Sequence, residues 1–480
     1  MQLRPHQQRA LAAMQSNKFG QIIVPTGGGK TMIMIKDLAE RFANAERPMT
    51  VAVVAPRILL ATQLCEEFFE DAGINRPDVV PAHIHSGESI HFSTTKVNKI
   101  VAFDNMCDSM QAHRIFFTTY NSLRRLNDAG LTFDVAYYDE AHNATKKNFF
   151  EEVANCDAKR YYYFTATPKH TRSPYGNGMN NYMVFGDIIE QCPAPELINN
   201  GSILPPTVDA YEVDFERLKG AQACDSDRET LLGILDQLDD TTAHKILVAA
   251  PNSRIMFNLL TKTNIIDECK NRGFEVMHIT SKYGAYVNTL KVNREQFFHQ
   301  FDQWGKDPSK KFIIFHYSIL SEGINVHGLT QTVFLRNLNV IEMAQTIGRV
   351  IRVNRDDAAD MAAGNLTPGA CQMYRKSTGF VTVPVFKNYG VNTIKRLQNL
   401  VDTVFVKGLP AIQVTDYWIM YEELNCFEEA LKHFGTRVEI ITAMEMARRI
   451  SAEDAYQMIK DELKDVKKCR KHFKKNESCE

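Results

Sequence analysis

No window of the chain approaches the roughly 18 consecutive apolar residues that a membrane-spanning helix needs, which excludes a helical membrane span. An excess of one charge is lacking too. Fifty-six Lys plus Arg oppose 57 Asp plus Glu, a formal charge of -1, so net charge points to no partner and any basic surface has to be local. The ten cysteines include no C-x-x-C pair, and no His cluster has metal-ligand spacing. Neither a disulfide framework nor a zinc site is expected, and the thiols read as small buried hydrophobes of a reducing compartment. The start, MQLRPHQQRA, has neither the cationic opening nor the apolar stretch of a secretory signal, so a cytoplasmic location is expected. Fixed-period repeats and low-complexity tracts are missing as well. What is present is an ordinary globular composition, 44% hydrophobic and 24% charged, over 480 residues. At roughly 150 residues per domain, that length suggests about three domains.

Short apolar runs at 21–24, 51–55, 115–119, 134–138 and 161–164 alternate with stretches of helical character, the pattern of a doubly wound parallel α/β sheet. A second series at 245–250, 274–279, 312–316, 332–335 and 380–386 predicts another such sheet. Pro193, Pro195, Gly201, Pro205 and Pro206, followed by the acidic stretch 225–240, mark the boundary. The expected organisation is a first domain over 1–195, a linker over 196–240, a second domain over 241–385 and a mainly helical extension over 386–480. Residues 172–181, rich in Gly, Asn and Ser, read as a mobile loop. In the window 464–475, seven of twelve residues are Lys or Arg and only Asp465 opposes them. That run reads as a nucleic-acid anchor or as a solubilising terminus.

VPTGGGKT at 24–31 follows a strand and opens a helix, the setting of a phosphate-binding loop. Gly27, Gly28 and Gly29 can take backbone angles that turn successive N–H groups toward one anion, and the following helix adds its dipole. Lys30 would reach the β- and γ-phosphates of ATP, and the Thr31 hydroxyl would ligate Mg²⁺. Val24 stands where the general pattern has a glycine. YYDEAH at 137–142 brings two adjacent carboxylates to a strand end, in the crevice where open α/β sheets bind ligands. There Asp139 would hold Mg²⁺ and Glu140 would orient and deprotonate the attacking water.

VPTGGGKT, DEAH at 139–142, TATP at 165–168 and QTIGRVIR at 345–352, in that order, resemble the motif series of superfamily 2 helicases and translocases. Within that superfamily the chain is most similar to the branch with phage recombination and repair helicases and restriction-enzyme motor subunits. The resemblance spans about residues 1–355. It implies two RecA-like domains in tandem and an ATP- and Mg²⁺-dependent nucleic-acid motor, with DNA favoured over RNA, acting as a monomer by unwinding or remodelling junctions. It assigns the LRPHQ segment to adenine, with Gln7 as the contact. Thr165 and Thr167, joined by His142, would couple hydrolysis to strand movement. Arg349 and Arg352, three residues apart on one expected helix face, become arginine fingers, and Gln345 positions the nucleotide or water. SEGIN at 321–325 would link the second domain to ATP through Glu322 and Gly323, with Asn325 where many relatives carry Asp. The strand would run past Pro56, Arg57, Ser86, Gly87, Thr119, Tyr120, Asn252 and Arg254. Two other readings remain open, an ATP-gated clamp without turnover and a small-molecule kinase built on the same cradle.

Overall fold

A computed structural model of the chain describes residues 3–87, 89–171, 176–239, 242–280, 282–317, 328–336, 338–415, 427–446 and 452–476. The chain divides into two compact units. The first comprises Met1–Ile23, Gly29–Gln191 and Ile412–Glu480, and the second Val24–Gly28 and Cys192–Ala411.

In the first unit, eight strands form one sheet: β1 (Phe19–Ile23), β2 (Thr50–Ala55), β3 (Val79–Ile84), β4 (Phe92–Ser93), β5 (His113–Thr119), β6 (Val135–Tyr138), β7 (Tyr161–Thr165) and, after the short β8 (Lys169–Thr171), β9 (Ile188–Gln191). Their order is β4-β3-β5-β2-β6-β7-β1-β9, and every pairing is parallel. Central strands of such a sheet are covered on both faces, so β2, β5, β6 and β7 are buried along their whole length. The aromatic run YYYF of β7 makes much of that core, with Tyr138 and Tyr163 stacked at 4.8 Å between centroids. Asp37 is buried beneath the sheet and satisfied three ways: Tyr137 Oη donates to it at 2.5 Å, and Arg41 Nε and Nη2 donate at 2.8 and 2.9 Å.

The second unit carries β10 (Pro206–Val213), β11 (Lys245–Ala249), β12 (Glu275–Thr280), β13 (Gly284–Val287), β14 (Leu290–Val292), β15 (Phe312–His316), β16 (Gln331–Phe334) and β17 (Gly379–Phe386). The order is β10-β17-β16-β11-β15-β12-β13-β14. It is parallel from β10 to β12, with an antiparallel flap of β13 and β14 at one edge. The expected fold class, two doubly wound parallel sheets in tandem, is therefore observed.

Three expectations about organisation change. Residues 196–240 supply β10 and the helix Ala223–Asp236 to the second unit. That strand is partly polar and half exposed because it lies at the sheet edge, where its opening proline is tolerated, and it pairs with β17 along all eight residues. The acidic residues of the helix sit beside Leu231, Leu232, Ile234 and Leu235, which enter the core. The extension 386–480 is split between the units: the helix Val391–Val401 belongs to the second, whereas β18 (Gln413–Thr415) pairs in parallel with β8 of the first. The described part of the expected mobile loop, 176–181, is pinned. Thr171 N donates to Asn180 Oδ1 at 2.9 Å, and Gln21 Nε2 donates to the Met179 and Gly186 carbonyls at 2.9 and 2.8 Å. Residues 172–175 lie outside the described residues.

The seven cysteines with described side chains are buried, as expected of hydrophobic thiols. Among the described residues, no helix is long and apolar enough to cross a membrane.

Candidate functional site

Parallel strands end at one edge of their sheet, and that places Lys30, Asp139 and Glu140 of the first unit together there. Gly27 follows β1 with φ +88°, and Gly29 caps the helix Lys30–Ala43 with φ +81°, both in the left-handed region that favours glycine. The loop closes through Gly28 N donating to Pro25 O at 3.0 Å. A Cβ on Gly29 would meet Gln7 Nε2 at 2.5 Å. Gln7 is itself buried, accepting from Arg4 N at 3.0 Å and donating to the Gly29 carbonyl at 3.4 Å. Its amide thus ties the opening helix, Pro5–Ser16, to the end of the glycine loop. Thr31 is half-buried in the first turn of the loop helix.

Lys30 Nζ lies 3.8 Å from Glu140 Oε1. The two DEAH carboxylates are both nearly buried, at 7% exposure each. Asp139 extends β6, its N–H donating to the Val54 carbonyl and its own carbonyl accepting from Tyr120 Oη at 2.9 Å. Burial, and then the neighbouring Glu140 charge, raise the Asp139 carboxyl above the usual carboxylate range; Lys30 opposes this only partly. Glu140 has φ +45°, a left-handed conformation that a non-glycine residue rarely keeps. Such strain costs about 1–3 kcal/mol and persists only where surrounding bonds hold it. Asn143 is one of them, its Nδ2 donating to the Glu140 carbonyl at 3.1 Å. Glu140 Oε2 is buried without a hydrogen bond among the described residues, with His142 Nδ1 3.5 Å away.

Asn143 also settles the state of His142. Its Oδ1 accepts from Lys146 Nζ at 2.8 Å, so Nδ2 is the atom facing His142 Nε2 at 3.2 Å, and that ring nitrogen must accept. The imidazole proton then sits on Nδ1, 3.1 Å from Thr165 Oγ1. The same hydroxyl accepts from Thr167 N at 3.1 Å, whereas Thr167 Oγ1 is buried without a hydrogen-bond partner among the described residues. The structure therefore joins His142, Thr165 and Thr167 in one chain of contacts next to Glu140. Sequence reading missed Asn143; its place directly after DEAH was the available signal.

The strand-contact candidates separate. Pro56 and Arg57 leave β2 half-buried, and Ser86 and Gly87 follow β3, Ser86 exposed, with Gly87 N donating to His85 Nδ1 at 3.2 Å. Thr119 and Tyr120 need correction: both are buried. Tyr120 is 1% exposed, stacked against Phe149 and Tyr138 with its hydroxyl on the Asp139 carbonyl. That ring supports the carboxylate strand from inside and cannot touch a ligand strand.

In the second unit, Asn252 and Arg254 follow β11 and are exposed, with Asn252 Oδ1 capping the helix Ser253–Lys262 by accepting from Ile255 N at 2.8 Å. Gln345 and Arg349 are buried on the helix Val340–Val350, and Gln345 Nε2 has no hydrogen-bond partner among the described residues. Arg352 departs from expectation. The helix stops at Val350, and Arg352 instead pairs in an antiparallel bridge with Ile203, beside a bond from Leu204 N to the Ile351 carbonyl at 2.7 Å. The two arginines therefore do not share a helix face. Residues 321–325, with Glu322, Gly323 and Asn325, lie outside the described residues.

Two residues of this unit carried no sequence signal. His316 ends β15 fully buried, with neither ring nitrogen hydrogen-bonded among the described residues. Burial first, then the fields of Arg349 and Arg336, push it down to about 3, so the imidazole is neutral and adds no repulsion to Arg349. Lys376 closes the end of the arginine helix, its Nζ donating to the carbonyls of Val350 (2.6 Å), Arg352 (3.0 Å) and Leu329 (2.6 Å). Replacing it with Met leaves those acceptors unmatched. Lys376→Met is expected to lower the stability of the second unit on the order of 2–4 kcal/mol, read as a lower urea midpoint; an unchanged midpoint would show that the three bonds are dispensable.

Residues 1–170 match the family described as type III restriction enzyme, res subunit. They form a superfamily 2 helicase-like domain. Residues 420–479 match a family of unknown function (DUF7219), and no curated protein matches the chain in sequence. Among solved structures, the chain is similar to the ATP-dependent Type ISP restriction-modification enzyme LlaBIII bound to DNA, at TM-score 0.62 and 14% identity over 92% of this chain and 35% of that one. It is also similar to a nuclease-deletion mutant of the Type ISP restriction-modification enzyme LlaGI in complex with a DNA substrate mimic, at TM-score 0.55 and 16% identity over 93% of this chain and 34% of that one. At such identity the likeness is one of fold, that of tandem RecA-like domains. The chain spans about a third of the length of those enzymes.

Proposed function

We propose that this helicase-like chain is an ATP-dependent DNA translocase. The observation that carries the reading is the cluster of Lys30, Asp139 and Glu140 beside the glycine loop, at the C-terminal edge of a parallel sheet. The DNA complexes of the similar Type ISP enzymes support DNA as the track. Unwinding or junction remodelling in recombination and repair is the finer reading, and it rests on the motif resemblance.

The donor set suits magnesium: a hydroxyl at Thr31, a carboxylate at Asp139 and a buried oxygen on Glu140 with no hydrogen bond among the described residues. Thr31 and Asp139 would hold the ion, which when bound supplies charge neutralisation at the phosphates. The loop N–H groups and Lys30 bind the triphosphate, and Gln7 meets the adenine. Glu140 takes a proton from water as the water oxygen attacks the γ-phosphorus. The bond to the β–γ bridging oxygen breaks, releasing ADP and phosphate. By the motif resemblance, Gln345, Arg349 and Arg352 would be the second unit's candidates for the γ-phosphoryl, and Gly323, outside the described residues, a further nucleotide candidate. The His142–Thr165–Thr167 chain adjoins Glu140 and is the route by which loss of the phosphate would reach the strand. Pro56, Arg57, Ser86, Gly87, Asn252 and Arg254 are the proposed strand contacts.

Phosphate release measured with no nucleic acid, with duplex DNA, with single-stranded DNA and with RNA at one salt concentration tests this reading. Stimulation by DNA above RNA is expected. Equal rates in all four conditions would contradict it and restore the kinase reading, whereas ATP binding without turnover would restore the clamp.

A further inference from the structure

The segment matching the family of unknown function contains two described helices, Phe427–Met446 and Ala452–Asn476, packed against each other. The first also packs on the helix Lys147–Asn155, just downstream of the DEAH carboxylates. Ile441 and Ala455 are buried in the core of the first unit together with Phe149, Phe150 and Val153, and Met458 and Ile459 pack against that core. Arg437 Nε donates to Glu462 Oε1 at 2.8 Å, with both side chains under 10% exposed. A buried pair of this kind tolerates one register of the two helices, because a slip would strand a charge.

Along the second helix, Ala455, Glu462 and Val466 are buried, seven and four residues apart, whereas Lys464, Lys467 and Arg470 are exposed. In the sequence, positions 460, 464, 467, 468, 471, 474 and 475 recur at helical spacing, and of these Lys460, Lys464 and Lys467 have described side chains, all exposed. The window 464–475 holds seven cations and one anion, +7 − 1 = +6, in a chain whose formal charge is -1. Four like-charge pairs fall at i,i+4 (464/468, 467/471, 470/474, 471/475), each disfavouring the helix by about 0.2–0.5 kcal/mol. The helix dipole favours cations only within about the last turn, and this run reaches back more than two turns further. A surface-lying membrane helix would need its apolar face for lipid, yet Ala455, Met458 and Ile459 of that face already pack against the protein, with Tyr456 and Leu463 left exposed beside them.

We propose that this basic face is a second nucleic-acid site, which grips the phosphate backbone of duplex DNA and is fixed by the helical hairpin to the unit that carries the DEAH carboxylates. The choice of DNA rests on the function proposed above; the charge arrangement does not. Phosphates would offset the mutual repulsion of the cations, and counterion release would drive binding without sequence preference.

The test is nucleotide-free binding of the full chain to a short blunt DNA duplex, followed by fluorescence anisotropy across a salt series. The triple variant Lys467→Gln, Lys471→Gln, Lys474→Gln is expected to flatten the slope of log K against log salt by about 2–3, close to 0.9 per lost phosphate contact. ATP binding and DNA-free ATPase should stay unchanged, and the corresponding triple Lys→Arg variant should keep the slope. An unchanged slope and affinity in the Gln variant, no duplex binding by the parent chain, or loss of binding to anionic vesicles in place of DNA would each overturn the proposal. Failure of the motor reading looks different: the slope would still respond, while DNA would not stimulate phosphate release.

Discussion

Glu140→Gln is expected to lower DNA-stimulated turnover by about 10²–10⁴-fold, the usual contribution of a positioned general base, while leaving ATP binding nearly intact. The substitution keeps the size and the left-handed backbone position, and it removes only the ability of the side chain to take a proton. Its buried Oε2, without a hydrogen bond among the described residues, is the atom proposed to meet the water. Lys30, 3.8 Å from Oε1, would lose its carboxylate neighbour and keep its phosphate role, so nucleotide affinity should not fall. Single-turnover phosphate release and equilibrium binding of a fluorescent ATP analogue separate the two effects. A drop in affinity with unchanged single-turnover rate would move Glu140 from proton transfer to nucleotide binding.

Arg349→Ala carries the second large expectation, a loss of about 10³–10⁵ in turnover, the scale of an arginine finger. Arg349 is 4% exposed on the helix Val340–Val350, next to a histidine kept neutral and to Gln345. Because Arg352 belongs to the bridge with Ile203 and not to that helix, the two arginines are not equivalent. Arg352→Ala is expected to cost less turnover and little stability, since the carbonyl that accepts from Lys376 and the bridge to Ile203 are main-chain features that alanine keeps. Equal losses of turnover for the two variants would show that the helix end does not distinguish them.

Contiguous features were legible in the sequence because each is a local event. The glycine loop lies between a strand and a helix, and DEAH follows the apolar run of β6, so sequence spacing nearly equals spatial arrangement. Features assembled over long distances were not. β10 looked like a linker because an edge strand needs few apolar residues, and its partner β17 lies about 170 residues away. Tyr120 looked accessible because it follows a strand end. In a sheet covered on both faces, however, β5 has no alternation of polar and apolar residues to mark which way its neighbours turn. Arg352 looked helical because i,i+3 spacing cannot register that Leu204 N takes the Ile351 carbonyl and that Ile203 bridges Arg352. Asn143 and Lys376 show the same limit: their roles are hydrogen bonds to backbone carbonyls, which leave no pattern in residue type.

The most direct measurement is displacement of a triplex-forming oligonucleotide from duplex DNA, followed in real time with ATP and with a non-hydrolysable analogue. The account predicts displacement after a lag that lengthens with distance from the entry site, with ATP only, and none with the Glu140→Gln chain. Rapid ATP hydrolysis with the third strand left in place at every distance would contradict it.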